Sequence, residues 1–288
     1  MNYYVEGSNA SFGYTDLVIE RRRANTENAG VDYKKWESDG GKWECVSLHT
    51  EGASRELGKP RGTYYTLHTE RMDLLSEGEL YDVQEEIARV LCEMCEKERV
   101  FPGRILVVGL GNEGLTPDSI GVKSALNVRP TLHIYNEEPD FFEELECSEI
   151  AVVIPGVASN TGLDSAEIVK SISRRIAPDL LICIDAIATN SRERLGTTIQ
   201  LANSGIIPGS GVGNKIGELS YDTVGAPVFA IGIPTLINSR VLCSSDSVKD
   251  TSSLSDMLVA PREIDEIIKA GARIIGGAIN QAFGIGEI

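Results

Sequence analysis

Four short runs along the chain are apolar almost from end to end. They are Ile105-Leu106-Val107-Val108-Gly109, Ile150-Ala151-Val152-Val153-Ile154, Leu180-Leu181-Ile182-Cys183-Ile184 and Val228-Phe229-Ala230-Ile231-Gly232. A strand that is apolar at successive positions, rather than at alternate ones, has both faces covered, as inside a parallel sheet. Helical patterns stand between them over 118–127 and 163–176, and a last one covers 261–283. Strand and helix in alternation predict a doubly wound α/β fold, a mostly parallel sheet flanked by helices. Ahead of it, Leu80, Val83, Ile87, Val90, Leu91 and Met94 recur at helical spacing and predict an amphipathic helix over 79–98. Residues 44–48 and 62–68 alternate and are rich in β-formers, so they predict additional β segments. Residues 1 to about 43 are polar and glycine-containing, apart from the island Thr15-Asp16-Leu17-Val18-Ile19-Glu20, and read as irregular and partly removable. No internal repeat is evident.

In open sheets of this class, sites form beyond the carboxyl ends of the strands. Three strand ends carry unusual sequence. Gly109-Leu110-Gly111-Asn112-Glu113-Gly114-Leu115-Thr116-Pro117-Asp118 follows the first core strand, and Asp185 closes the third. A long polar segment then runs from Thr197-Thr198-Ile199-Gln200 to Gly209-Ser210-Gly211-Val212-Gly213-Asn214-Lys215. Asp118 before a helix suits an N-cap, because its carboxylate accepts orphan N–H groups. A carboxylate at Asp185 is costly to bury unless paired or hydrogen-bonded. Together the two aspartates would share one edge of the sheet. Neighbouring carboxylates do not both ionise cheaply, so one keeps a proton. The ionised member can then activate water while the protonated member polarises a carbonyl, which makes a peptide hydrolase without histidine, metal or organic cofactor. Gly109-Leu110-Gly111-Asn112-Glu113-Gly114 also has the spacing of a dinucleotide loop. However, Thr116-Pro117 delays the helix past the last glycine, so those glycines suit a tight turn beside a substrate better.

Composition narrows the classes. The chain has 288 residues, 42% of them hydrophobic, and a formal net charge of −16. That charge is repelled by phosphate, so direct nucleic-acid binding is disfavoured and a basic partner is favoured. No run of about 18 apolar residues predicts a membrane helix, and Met1-Asn2-Tyr3-Tyr4-Val5-Glu6 does not resemble a secretory signal. The expected location is therefore cytoplasmic, with Cys45, Cys92, Cys95, Cys147, Cys183 and Cys243 as reduced thiols. His49, His68 and His133 are the three histidines, and none stands in a serine, cysteine or zinc protease context.

Beyond its composition, the chain resembles a known family. Gly109-Leu110-Gly111-Asn112, Thr116-Pro117-Asp118, Asp185-Ala186, Thr197-Thr198-Ile199-Gln200 and Pro208-Gly209-Ser210-Gly211-Val212-Gly213-Asn214 resemble, in order, the germination proteases of spore-forming bacteria. Thr15-Asp16-Leu17, Leu57-Gly58-Lys59-Pro60 and Gly62-Thr63-Tyr64 resemble them too, so the likeness spans about 14 to 285. The resemblance implies an atypical aspartic protease, unrelated to pepsin, with a fold similar to hydrogenase maturation proteases. It implies catalytic roles for Asp118 and Asp185, with Asn112, Thr197, Thr198, Gln200, Ser210 and Asn214 shaping or binding around them. It further implies small acid-soluble spore proteins as substrate, action in the forespore or spore core, a homotetramer, and a zymogen. Residues 1–13 would be its propeptide and 14–288 a single protease domain. Tyr14, Ile207 and Glu113-Gly114-Leu115 depart from the family pattern and leave fine specificity open. Two other readings keep the same scaffold: a non-catalytic binding protein with structural aspartates, and a metal-dependent maturation-type protease using His133 as a ligand.

Overall fold

The computed structural model describes residues 15–22, 30–208, 217–239 and 257–285. Nine strands join one sheet: β1 (Val31–Ser38), β2 (Gly41–Leu48), β3 (Gly62–His68), β4 (Arg104–Gly109), β5 (Glu149–Val153), β6 (Leu180–Thr189), β7 (Thr198–Ala202), β8 (Val228–Asn238) and β9 (Leu258–Val259). Their order is β1-β2-β3-β7-β8-β6-β4-β5, with β9 paired to the end of β8. The stretch β8-β6-β4-β5 is parallel, as the four apolar runs predict. The additional β segments extend this sheet as an antiparallel flank, through β7, β3, β2 and β1.

Helices cover both faces. The helix Glu77–Glu98 starts in a capping box between Ser76 and Glu79 and stops at Arg99, which takes a left-handed conformation. Its apolar stripe packs with the helix Ile264–Phe283 over one face of the sheet, against Val107, Ile182, Ile184, Phe229, Ile231 and Ile233. The other face is covered in two pieces. The helix Ser165–Ile176, capped by Asp164, buries Ala166 and Val169 on Leu106, Val108, Leu181 and Cys183. The segment Leu17–Ile19 and the helix Glu51–Leu57 cover Val46, Leu48, Tyr64, Ile187 and Ala202 instead. A cavity on this face is lined by Tyr64, Ile187 and Ala202 of the second piece and by Ile206, which packs on the first.

Several elements differ from the sequence expectation. Residues 1 to about 43 are not wholly irregular, because β1 lies within them and Val18–Arg21 forms a helical turn. β1 is an edge strand with no fully buried position, so its polar composition conceals it. The core strands β6 and β8 run five or six residues past their apolar runs, and Asp185 therefore sits within β6 rather than after it. Thr198–Gln200 likewise belongs to β7 instead of a loop.

Candidate active site

The chain leaves β4, passes to β5 on one side, and returns to β6 on the other. This reversal makes the carboxyl ends of β4 and β6 a topological switch point, where open α/β sheets place their ligands. Asp118 follows β4, and Asp185 lies on β6 where it runs past the end of β4.

The strand register builds a polar row across the sheet. Asp185 is opposite Gly232, Gly232 opposite Gln200, Gln200 opposite Thr66, and Thr66 opposite Glu44. Directly paired positions present their side chains on one face. Gly232 opens the row between Asp185 and Gln200, since a Cβ there would lie 2.7 Å from Ile187 Cγ2. At the far end Glu44 accepts a hydrogen bond from Tyr33 and lies 3.1 Å from His68 Nε2, the main cause of a pKa pulled down to about 2.

Asp185 is 6% exposed, and its Oδ1 accepts from Ala186 N at 2.9 Å. It lines a cavity of about 170 Å³ together with Gln200, Asp16, Lys59, Glu218 and Ile207. Ile207, a departure from the family pattern, is thus a wall of the site.

Asp118 closes the short 3₁₀ turn Thr116–Asp118, which packs against β6, β8 and the helix Ile264–Phe283. It is no helix N-cap. Its Oδ2 accepts from Asn112 N at 2.9 Å, and its main-chain carbonyl accepts from the same N–H at 3.1 Å. The turn closes this tightly because Gly111 has φ +102°, and a Cβ there would sit 2.0 Å from the Asp118 carbonyl oxygen. Burial raises the Asp118 pKa above the ordinary aspartate value, and the Asn112 N–H opposes it. Asn112 itself accepts from Gly114 N at 3.0 Å and from Asn160 Nδ2 at 3.2 Å, so it ties the loop together.

The remaining expected residues divide. Gln200 reaches the cavity, but its amide also holds the N-terminal segment: Oε1 accepts from Val18 N at 3.1 Å and Nε2 donates to Asp16 O at 3.4 Å. Thr198 lies two residues before Gln200 on the same face of β7, with its hydroxyl 3.4 Å from His68 Nδ1, and it is not among the residues that line the cavity. Thr197 donates to Glu193 O at 2.6 Å and shapes the turn before β7. Ser210 and Asn214 lie outside the described residues, as do Tyr14 and 1–13. His133 is exposed on the helix Leu132–Glu137, and no cluster of three metal-ligating side chains occurs among the described residues.

Asp16 and Lys59 had no role in the sequence reading, yet both line the Asp185 cavity. The signal was present: Asp16 is a charge inside an apolar island, and Lys59 stands in one of the family-like motifs.

Residues 14–252 match the family model described as germination protease. The chain belongs to the germination protease family. Among its relatives, the germination protease of Clostridium acetobutylicum is 33% identical over 93% of this chain and 94% of its own length. That of Caldanaerobacter subterraneus subsp. tengcongensis is 33% identical over 93% of both chains. That of Priestia megaterium is 36% identical over 81% of this chain and 65% of its own. A solved structure, the nickel–iron hydrogenase maturation protease HycI from Thermococcus kodakarensis KOD1, covers 67% of this chain and 98% of its own at 16% identity, with a TM-score of 0.34. At that score the likeness carries no argument about the site. Family membership makes the protein a protease acting in germination. No helix of the described residues is long and apolar enough to cross a membrane.

Proposed function

We propose that this germination protease is an aspartic-type endopeptidase that degrades small acid-soluble spore proteins in the germinating spore core, with Asp118 and Asp185 as its acid–base pair. The observation that supports the pairing is positional. The turn bearing Asp118 packs on β6 and β8, the strands that carry Asp185 and its register partner Gly232. Burial favours the proton on Asp118, which suits it to be the acid. Asp185 is then the base.

In the forward step, Asp118 transfers its proton to the scissile carbonyl oxygen. Asp185 takes a proton from water as the water oxygen bonds to the carbonyl carbon. The tetrahedral intermediate collapses when the carbon–nitrogen bond breaks and the amine receives the proton now on Asp185. Asp118 regains its proton as the carbonyl re-forms, so both groups return to their starting states. Neither histidine nor metal takes part. The net charge of −16 favours encounter with a basic substrate.

The experiment is incubation with a purified small acid-soluble spore protein, with and without a metal chelator. Chelator-resistant cleavage that is lost in Asp118→Asn and Asp185→Asn is the expected result. Cleavage abolished by chelation moves the assignment to a metal enzyme, and no cleavage by the wild type moves it to a binding protein.

A further inference from the structure

Lys59 and Asp16 are distant in sequence from both aspartates, yet they meet Asp185 in one cavity. The helix Glu51–Leu57 is capped by Thr50, whose hydroxyl accepts from Ala53 N at 3.2 Å. It ends at Gly58, held left-handed at φ +59°. Lys59 follows directly and is fixed from both sides by Ser54: its N donates to Ser54 O at 3.2 Å, and Ser54 Oγ donates to its carbonyl at 2.6 Å. The side chain is thereby placed on the cavity wall.

Asp16 arrives from the N-terminal segment. Its N donates to Ala188 O at 3.0 Å, and its Oδ2 accepts from Ala188 N at 3.0 Å. These bonds clamp β6 three residues past Asp185, where its register against β8 slips between Ile187 and Ala188. Irregularities of this kind re-aim side chains beside active sites. The other carboxylate oxygen of Asp16 lies 3.5 Å from Lys59 Nζ, with both side chains largely buried. Burial pushes Lys59 toward its neutral form, and Asp16 is the main group opposing that.

We propose that the Asp16–Lys59 pair is a positioning device for Asp185, in which Lys59 holds the Asp185 carboxylate ionised while Asp16 keeps Lys59 charged and pins β6. This rests on the aspartate-pair reading above. The titratable groups facing Asp185 are Asp16, Lys59, Tyr64 and Glu218 around the cavity, Cys183 on its own strand, and Asp118 on the turn packed against β6. Burial keeps the Cys183 thiol and the Tyr64 hydroxyl protonated, Tyr64 pushed up to about 12. Among these described groups, Lys59 is the cation. An opposite charge within about 4–6 Å lowers a carboxyl by roughly 1–3 pKa units, and Lys59 shares one cavity wall with Asp185 while its charge is partly taken up by Asp16, so an effect of about one unit is expected.

The test titrates the Asp185 carboxyl by carboxyl-carbon NMR in the full-length protein, with Asp185→Asn as the blank, and records the pH profile of kcat/KM beside it. Lys59→Met should raise the Asp185 midpoint by about one unit and move the acid limb of kcat/KM equally. Its kcat should fall with KM little changed, and Lys59→Arg should restore the wild-type midpoint. Lys59→Gln, which keeps a donor for Asp16, replaces Lys59→Met if the latter does not fold. An unmoved midpoint in a folded neutral variant overturns the proposal. So does an equal shift in Lys59→Arg, which would mark packing rather than charge. The titration needs no substrate, so it separates the two readings: proteolysis surviving in Asp185→Asn refutes the catalytic pair, whereas an unmoved Asp185 midpoint refutes the positioning device.

Discussion

Gly232→Ala inserts one methyl group beside the candidate base, on the wall of the cavity that Asp185 lines. The new Cβ would lie 2.7 Å from Ile187 Cγ2 and 3.1 Å from its Cδ1, where ordinary contact begins at 3.4 Å. The Ile187 methyl must therefore retreat by about 0.7 Å. Ile187 is β-branched and stiff at χ1, so it does not simply swing aside. It lies two residues after Asp185 on β6 and lines the same cavity, so the displacement is passed to the site. Overpacking of this kind costs about 1–3 kcal/mol, which for a chain of this size lowers Tm by roughly 2–4 °C per kcal/mol. Activity should suffer more, because a misplacement approaching 1 Å near reacting groups costs on the order of 100-fold. The assay is urea unfolding followed by the fluorescence of the stacked Trp36 and Trp43, together with kcat/KM on a spore-protein substrate. The decisive arm is Ile187→Ala. Alone it should cost about 2 kcal/mol or more, but with Gly232→Ala it should relieve the clash and give a favourable coupling of at least about 1 kcal/mol. Strict additivity, or a Gly232→Ala enzyme with wild-type activity, would refute the claim that this glycine is kept for space.

Asp118→Asn should be inactive yet more stable than the wild type at neutral pH. The Asp118 carboxyl is raised by burial above its unfolded value of 3.8, so the native state holds its proton more tightly and stability falls as pH rises through that window. The stabilisation should therefore be present at pH 7 and vanish below pH 3.8 in denaturation series, and a variant less stable than wild type at pH 7 contradicts it. Gly111→Ala, at φ +102° and 2.0 Å from the Asp118 carbonyl, should destabilise by more than about 1 kcal/mol and abolish cleavage; normal turnover would show that the Asn112–Asp118 turn is not needed. A homotetramer predicts a light-scattering mass well above the 31.2 kDa of one chain. Acidification should trim about 13 residues from the N-terminus of the wild type but not of Asp118→Asn, since an exposed glycine-containing segment is readily cut. Equal trimming of both points to a contaminating protease.

The parallel core and the long amphipathic helix were legible because their signals are local. Val107, Ile182 and Ile231 are apolar in unbroken runs because helices cover both faces of their strands. Leu80 through Met94 keep one face at helical spacing because only that face is buried. β1 was not legible, since an exposed edge strand needs no apolar face and is specified by pairing with β2. The ends of β6 and β8 were missed because Asp185, Thr189, Pro234 and Asn238 break the apolar pattern, while neighbouring strands still satisfy the backbone between them.

The site divides along the same line. Asp118 and Asp185 could be singled out from sequence because each is a carboxylate beside an apolar strand, a costly arrangement that asks for a reason. Asp16 and Lys59 carry a weaker trace, a charge inside an apolar island and a lysine in a family-like motif, and neither trace points to Asp185. Only the sheet register places Gln200 and Gly232 in one row with Asp185, and only the joint covering of that face brings the N-terminal segment and the helix Glu51–Leu57 to its edge. Local burial leaves a periodic trace in sequence, whereas a contact between segments far apart along the chain leaves none, because it is chosen by how the layers close over the sheet.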